Sequence, residues 1–203
     1  MCQLFETIKI LDGSLCNIGL HNDRLNRSRR DVFGCTDAID LRDFIEVPHD
    51  CTSGVVKCRV VYARVIDTIG FERYRKRDLH TLRLLDDDDI GYACKYCDRS
   101  AIDRLLARRD GCDDIIIVKG GTMTDSSFSN LVFDDGTRLL TPASPLLKGT
   151  KREQLLSEGM IIQEELRVTD MELFRSVHLI NAMLDLNECT ICVENIFKQA
   201  LSR

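Results

Sequence analysis

Lys95 stands where a strand-like run, Ile90-Gly-Tyr-Ala-Cys94, hands over to a helix-like one from Asp98 to Leu106. A lysine at such a junction suits covalent chemistry on a carbonyl, because burial shifts its amine toward the neutral, nucleophilic form. Further along, Asp125 opens a serine-rich turn, Asp125-Ser-Ser-Phe-Ser-Asn130. The segment 141–152, Thr-Pro-Ala-Ser-Pro-Leu-Leu-Lys-Gly-Thr-Lys-Arg, then reads as a loop that opens a helix. A helix start presents backbone N–H groups to an anion. Amine, acid and anion-binding turn, in that order, are the groups that a pyridoxal-phosphate site requires.

The elements that must position these groups follow from periodicity and turn signals. Residues 2–20 alternate and break at Asp12-Gly13-Ser14, a hairpin pattern. Residues 21–34 read as a helix starting near Asn22 or Asp23 and ending at Gly34. A second helical stretch is expected from Thr36 to Ile45, stopped by Pro48. Strands are expected over 55–65, 71–77, 81–85 and 114–118, and a helix over about 98–109. Residues 128–133 and 137–141 flank a turn at Asp134-Asp135-Gly136. A helix from Gly149 to about Glu158 leads to a strand over 160–168. Thr169-Asp-Met-Glu172 reads as a capping box, and 176–181 and 190–197 close the chain as β segments. The acidic run Asp86–Asp89 is the best candidate boundary, giving an α+β chain of two domains, 1–89 and 90–203.

Composition excludes several classes. A net charge of −5 provides no basic excess to neutralise phosphates, so a general nucleic-acid binder is not expected. Basic clusters at Arg24–Arg30 and Arg73–Arg77 read first as solvated faces. No apolar run reaches membrane-spanning length. Met1-Cys-Gln-Leu-Phe-Glu6 does not resemble a secretory leader, so a cytoplasmic protein with reduced thiols is expected. Ten cysteines include two pairs with metal-type spacing, Cys94/Cys97 and Cys189/Cys192. The pairs lie far apart, lack knuckle glycines or prolines, and the second sits in a strand pattern that points its thiols alternately. Buried apolar thiols are therefore the favoured reading, with no metal.

Six motifs occur in one order: Leu4-Phe-Glu-Thr-Ile-Lys with Asp12-Gly13; His21-Asn-Asp-Arg-Leu25; Lys95 with Asp98-Arg99; Thr124-Asp-Ser-Ser-Phe-Ser-Asn130; Thr141-Pro with Leu147-Lys-Gly-Thr-Lys-Arg152; and Leu179-Ile-Asn-Ala-Met183. Together they resemble the aminotransferase class IV family, the fold-type IV pyridoxal-phosphate enzymes, over about residues 4–183. The resemblance implies a two-domain fold like that of D-amino-acid aminotransferase. It makes Lys95 the lysine that bonds the cofactor and shuttles a proton; Lys119 and Lys148 are competitors without a following helix. It makes Arg24 the phosphate-binding arginine, whose planar fork suits a dianion. Asp125 takes the place of the acid at the pyridine nitrogen. The family usually has Glu there, and Asp, one methylene shorter, must approach by a backbone shift or a water. Gly149 and Thr150 resemble the phosphate cup, with Gly permitting close approach, and Asn181-Ala182-Met183 a second cup segment. Arg59 lies on a strand that lines the pocket in this family, and Tyr92 and Arg99 are further candidates to meet a substrate carboxylate.

The Lys-x-x-Asp-Arg pattern at Lys95–Arg99 sides with the 4-amino-4-deoxychorismate lyase and D-amino-acid branch. The glycine-rich stretch ending in Tyr that follows the lysine in branched-chain enzymes is missing. The resemblance thus implies a lyase that forms 4-aminobenzoate and pyruvate for folate biosynthesis. A class IV aminotransferase acting on a D- or branched-chain amino acid is the alternative, and a non-catalytic or zinc-stapled member a further one. A small-molecule amino substrate and a homodimer are also implied. The stretch before Lys95 is brief, which suggests a trimmed specificity loop.

Overall fold

The computed structural model describes residues 2–198. Its contacts divide the chain into two units, Met1–Lys76 with Cys94–Asp98, and Arg77–Ala93 with Arg99–Arg203. Sequence expectation assigned Leu82–Asp86 to the first domain, yet that strand pairs in the second unit's sheet. The short segment 94–98 belongs to the first unit.

In the first unit β1 (Leu4–Leu11), β2 (Ser14–Leu15), β3 (Val55–Tyr62) and β4 (Ile66–Arg73) form one antiparallel sheet in the order β2-β1-β3-β4. The Asp12-Gly13 turn has both residues at positive φ, 47° and 80°, the geometry that matches strand twist in a two-residue hairpin. Leu4, Ile8 and Ile10 of β1 and Val56, Cys58 and Val60 of β3 are all fully buried. The side-chain period of two places each set on one face, where they pack with Leu25 of α1 (Ile18–Phe33).

The expected second helix at 36–45 is replaced by a single 3-10 turn, Leu41–Asp43. Two asparagines of α1 take over its backbone groups. Asn26 donates to the Ile39 carbonyl and accepts from the Ile39 amide (both 2.8 Å), and Asn22 accepts from the Leu41 amide (2.9 Å). A segment whose polar groups are satisfied from outside gains nothing by closing its own ladder.

The second unit contains β5 (Leu82–Asp86), α2 (Ser100–Leu106), β6 (Asp114–Lys119), β7 (Thr122–Ser126), β8 (Asn130–Asp134), β9 (Leu139–Pro142), α3 (Thr150–Ser157), β10 (Ile162–Glu164), β11 (Ser176–Ile180), β12 (Thr190–Cys192) and β13 (Ile196–Phe197). The sheet runs β10-β9-β8-β7-β6-β5-β13, with β11 pairing both β8 and β12. Ile115, Ile116 and Ile117 of β6 are all fully buried, as expected of a strand covered on both faces. β5 and β6 are parallel. Sequence patterning missed β7, whose Thr-Met-Thr-Asp-Ser shows no alternation because four of its five residues are buried. The strand expected over 160–168 shrinks to Ile162–Glu164. The cap expected at Thr169 sits instead at Arg167, whose amide donates to Asp170 at 2.8 Å.

Candidate active site

In the first unit the alternation of β1 turns Glu6 inward beside Leu4 and Ile8, so its carboxylate has no water and must find partners. α1 supplies them from positions three apart on one face. Arg24 donates through Nε to Glu6 Oε1 at 2.9 Å and through Nη2 to Oε2 at 2.5 Å. His21 Nδ1 lies 2.6 Å from Oε2. Burial alone would push the Glu6 carboxyl up; the Arg24 guanidinium and the hydrogen bonds from His21 and Arg24 outweigh it and leave it at about 2. Burial pushes the His21 imidazole down, against the pull of Glu6. An ionised carboxylate only accepts, so Nδ1 of the neutral ring is the protonated nitrogen. Arg24 itself is 6% exposed.

Ile90–Cys94 is not a strand, and α2 begins only at Ser100. Lys95 therefore does not sit at a strand-to-helix junction. Its segment runs instead along β1: the Phe5 amide donates to the Lys95 carbonyl at 2.9 Å, the Cys97 amide to the Gln3 carbonyl at 2.8 Å, and Tyr96 bridges to Leu4. The Phe5 ring carries two cations, Lys95 Nζ at 4.8 Å and Arg59 Cζ at 3.7 Å from its centroid. A cation on an aromatic face is held by the ring quadrupole. Arg59 lies opposite Thr7 on β3 and also reaches Cys97 Sγ at 4.0 Å. Lys95, Arg24 and Arg59 thus share a unit, each braced by a residue of β1.

In the second unit Asp125 and Asn130 face each other across the β7–β8 pair, which places their side chains on one face of the sheet. The turn between them closes on the Ser126 amide, which donates to the Ser129 carbonyl at 2.8 Å, and on Ser126 Oγ, which accepts from the Ser129 amide at 3.0 Å. Asn130 Nδ2 donates to Asp125 Oδ1 at 2.6 Å. Asp125 Oδ2 accepts from the Leu147 amide at 2.9 Å. Burial pushes the Asp125 carboxyl up to about 7, despite those two donors, the Leu146 backbone and the charge of Arg152.

Gly149 precedes α3 and, having no side chain, makes no side-chain cap of its own. Thr150 is buried behind it. Asn181 uses its side chain to build its own turn: Oδ1 accepts from the Met183 and Leu184 amides at 2.8 and 3.1 Å, and Nδ2 donates to Ser129 Oγ at 2.9 Å. Any ligand contact from 181–183 falls to backbone and to Ala182, which is partly exposed. Arg99 spends Nη2 on the Ser127 carbonyl at 2.7 Å, holding the serine turn. Tyr92 is buried. Of the competing lysines, Lys119 donates to the Ile90 carbonyl at 2.7 Å, and Lys148 is exposed. Cys189 is buried and Cys192 exposed. Among the described residues no cluster of His, Cys, Asp and Glu is placed to hold a metal, and no helix is long and apolar enough to cross a membrane.

Glu6, His21 and Asn130 were visible in the motifs but carried no assigned role. The signal for Glu6 was its register: an acid at an inward position of an alternating strand demands a partner.

The family model for amino-transferase class IV matches residues 3–190. The chain belongs to that family of pyridoxal-phosphate enzymes, and its cofactor is pyridoxal 5′-phosphate. It is 38% identical over 185 residues, 90% of this chain and 98% of the relative, to an uncharacterised protein of Haemophilus influenzae. A solved structure from Haemophilus somnus, described as a candidate 4-amino-4-deoxychorismate lyase, is 31% identical with a TM-score of 0.86; the match covers 92% of this chain and 98% of that one. The pyridoxal-phosphate-bound form of a hypothetical aminotransferase from Mycobacterium tuberculosis shares the fold, at 22% identity and a TM-score of 0.74 over 99% of this chain and 83% of that one. Each unit by itself offers groups that suit the cofactor: the second a helix start whose backbone N–H groups fit a phosphate and a buried acid that fits a ring nitrogen, the first a lysine amine that fits an aldehyde.

Proposed function

We propose that the protein is a 4-amino-4-deoxychorismate lyase, releasing 4-aminobenzoate and pyruvate. The observation that carries this reading is the 31% identity, over 98% of its length, to the Haemophilus somnus protein described in those terms. The Lys95-x-x-Asp-Arg99 pattern agrees with it.

In this reading Lys95 is the residue that would hold the cofactor through its aldehyde, and its amine would take the proton from the substrate's amine-bearing carbon. Arg24, fixed in orientation by Glu6, is assigned to the phosphate, as are the backbone groups at Gly149 and Thr150 and those at Asn181 and Ala182. Asp125 would hold the ring nitrogen. When bound, the cofactor supplies an electron sink for the carbanion. Arg59 takes a substrate carboxylate, with Tyr92 and Arg99 shaping the rest of the substrate side. Loss of the enolpyruvyl group as pyruvate then aromatises the ring. The protein acts as a cytoplasmic homodimer in folate biosynthesis.

The family name itself supports a second reading, transfer of the amino group from a D- or branched-chain amino acid, because the cofactor-holding residues serve both reactions. One assay separates the two. Aminodeoxychorismate supplied to the loaded enzyme should yield 4-aminobenzoate and pyruvate in equal amounts. Amino-group transfer to a keto acid without 4-aminobenzoate would give the second reading. Borohydride should fix the cofactor covalently to Lys95, and a Lys95→Ala variant that is still labelled would refute its role.

A further inference from the structure

Gly149 adopts φ −75° and ψ 146°, a conformation open to any residue, so its backbone does not explain a glycine. A Cβ built there would lie 2.1 Å from Asn130 Oδ1 and 3.2 Å from its Cγ. Asn130 cannot readily move aside. Its Nδ2 donates to Asp125 Oδ1 at 2.6 Å and to the Leu147 carbonyl at 2.8 Å, and both are acceptors, which fixes the amide's orientation. The Leu147 amide is in turn bound by Asp125 Oδ2 at 2.9 Å. The facing pair Asp125–Asn130 thus grips both backbone groups of Leu147, three residues before the first residue of α3.

We propose that Asn130 is a positioning residue, its amide locking the Asp125 carboxyl and the 147–149 turn into one piece, and that Gly149 lacks a side chain to admit this amide rather than to admit a phosphate. The inference deepens the proposed reading, since the acid and the helix start it joins are there assigned to opposite ends of one cofactor. The lock itself is a property of the cofactor-free chain. A single amide then sets the distance between two contacts that a rigid ligand must make together, and a displaced acid costs binding even where every contacting side chain is intact.

The test is a double-mutant cycle of Asn130→Ala, Gly149→Ala and the pair, read as melting temperature without cofactor and as affinity for pyridoxal phosphate. Asn130→Ala should weaken binding by about tenfold, the loss of one hydrogen bond to a buried carboxylate. It should also move the pH profile of binding to higher pH, because a donor to Asp125 is gone. Gly149→Ala should weaken binding and lower the melting temperature in the native background. In the Asn130→Ala background the same change should alter either readout little, because the atom it strikes is absent. Equal damage by Gly149→Ala in both backgrounds would overturn the proposal, as would an Asn130→Ala protein that melts and titrates like the parent. If Gly149→Ala alone does not fold, a folded double variant supports the lock and an unfolded one refutes it. Should the parent protein bind no pyridoxal phosphate, the cofactor roles of Lys95 and Arg24 fall, and the melting cycle still judges the lock.

Discussion

Glu6 and Asp125 are both carboxyls removed from water, one in each unit, and they come to rest at opposite ends of the carboxylate range, about 2 and about 7. Burial pushes both upward, and hydrogen-bond donors pull both downward. The difference lies in the partner's charge. Glu6 is gripped by a guanidinium on two edges, whereas Asp125 is held by the Asn130 amide and by the backbone at Leu146 and Leu147, with the charge of Arg152 acting on it least. Neutral donors at good distance do not offset the loss of hydration around a full charge; a contacting cation does. Glu6 is therefore ionised throughout the working range and serves as a fixed anchor for Arg24. Asp125 is poised to change protonation near neutrality.

The largest effect expected from this contrast is at Glu6. Glu6→Gln keeps the shape and leaves the buried Arg24 without its counter-charge, which should cost about 3–5 kcal/mol of stability in urea unfolding. A loss within about 1 kcal/mol would show that Arg24 finds another anion and that the two carboxyls differ less than their surroundings suggest.

Next in size is the pH dependence of the cofactor-free protein, where the two groups have opposite signs. The Glu6 pKa falls on folding, so its stabilisation is present above pH 4.5 and is lost as pH drops toward 2. The Asp125 pKa rises on folding, so the folded state holds an extra proton between about pH 4 and 7, and stability declines as pH climbs through that window. The decline should be on the order of 4 kcal/mol for so buried a group. Asp125→Asn should remove the neutral-range decline and leave the acid-side loss in place. An unchanged slope between pH 4 and 7 would mean that Asp125 is ionised at little cost.

How far these two centres were legible differs for the same physical reason. The inward register of Glu6 follows from alternation in β1, and the Asp12-Gly13 turn that sets that register is written in the chain. Nothing comparable announces Asp125 and Asn130 as a pair, because β7 is buried on both faces and shows no period. The motif order supplied Lys95, Arg24, Asp125 and Gly149 as candidates through family resemblance, and read Gly149 as admitting a phosphate to close approach. The contact that a Cβ at 149 would make with Asn130 is three-dimensional and leaves no trace in the motif order. The misjudged helix at 36–45 has a like cause, since Asn22 and Asn26 satisfy that segment from α1. Propensity is local, and side chains that arrive from elsewhere to take over backbone groups are invisible to it.

The smallest expected effect isolates the neutral member of the Glu6 cluster. His21 contributes a hydrogen bond and no charge, because burial holds its imidazole below the usual range. His21→Phe should therefore cost about 2 kcal/mol, the worth of one donor to a carboxylate, and less than Glu6→Gln. The sign of its pH dependence is also fixed. A histidine whose pKa falls on folding binds protons more readily in the unfolded chain, so stability is lost as pH falls below 6.5. The variant should lose that mild slope while keeping the steeper one that belongs to Glu6. If His21→Phe matched Glu6→Gln in cost, the ring would be carrying charge in the folded protein, and the Glu6 anchor would rest on two cations instead of one.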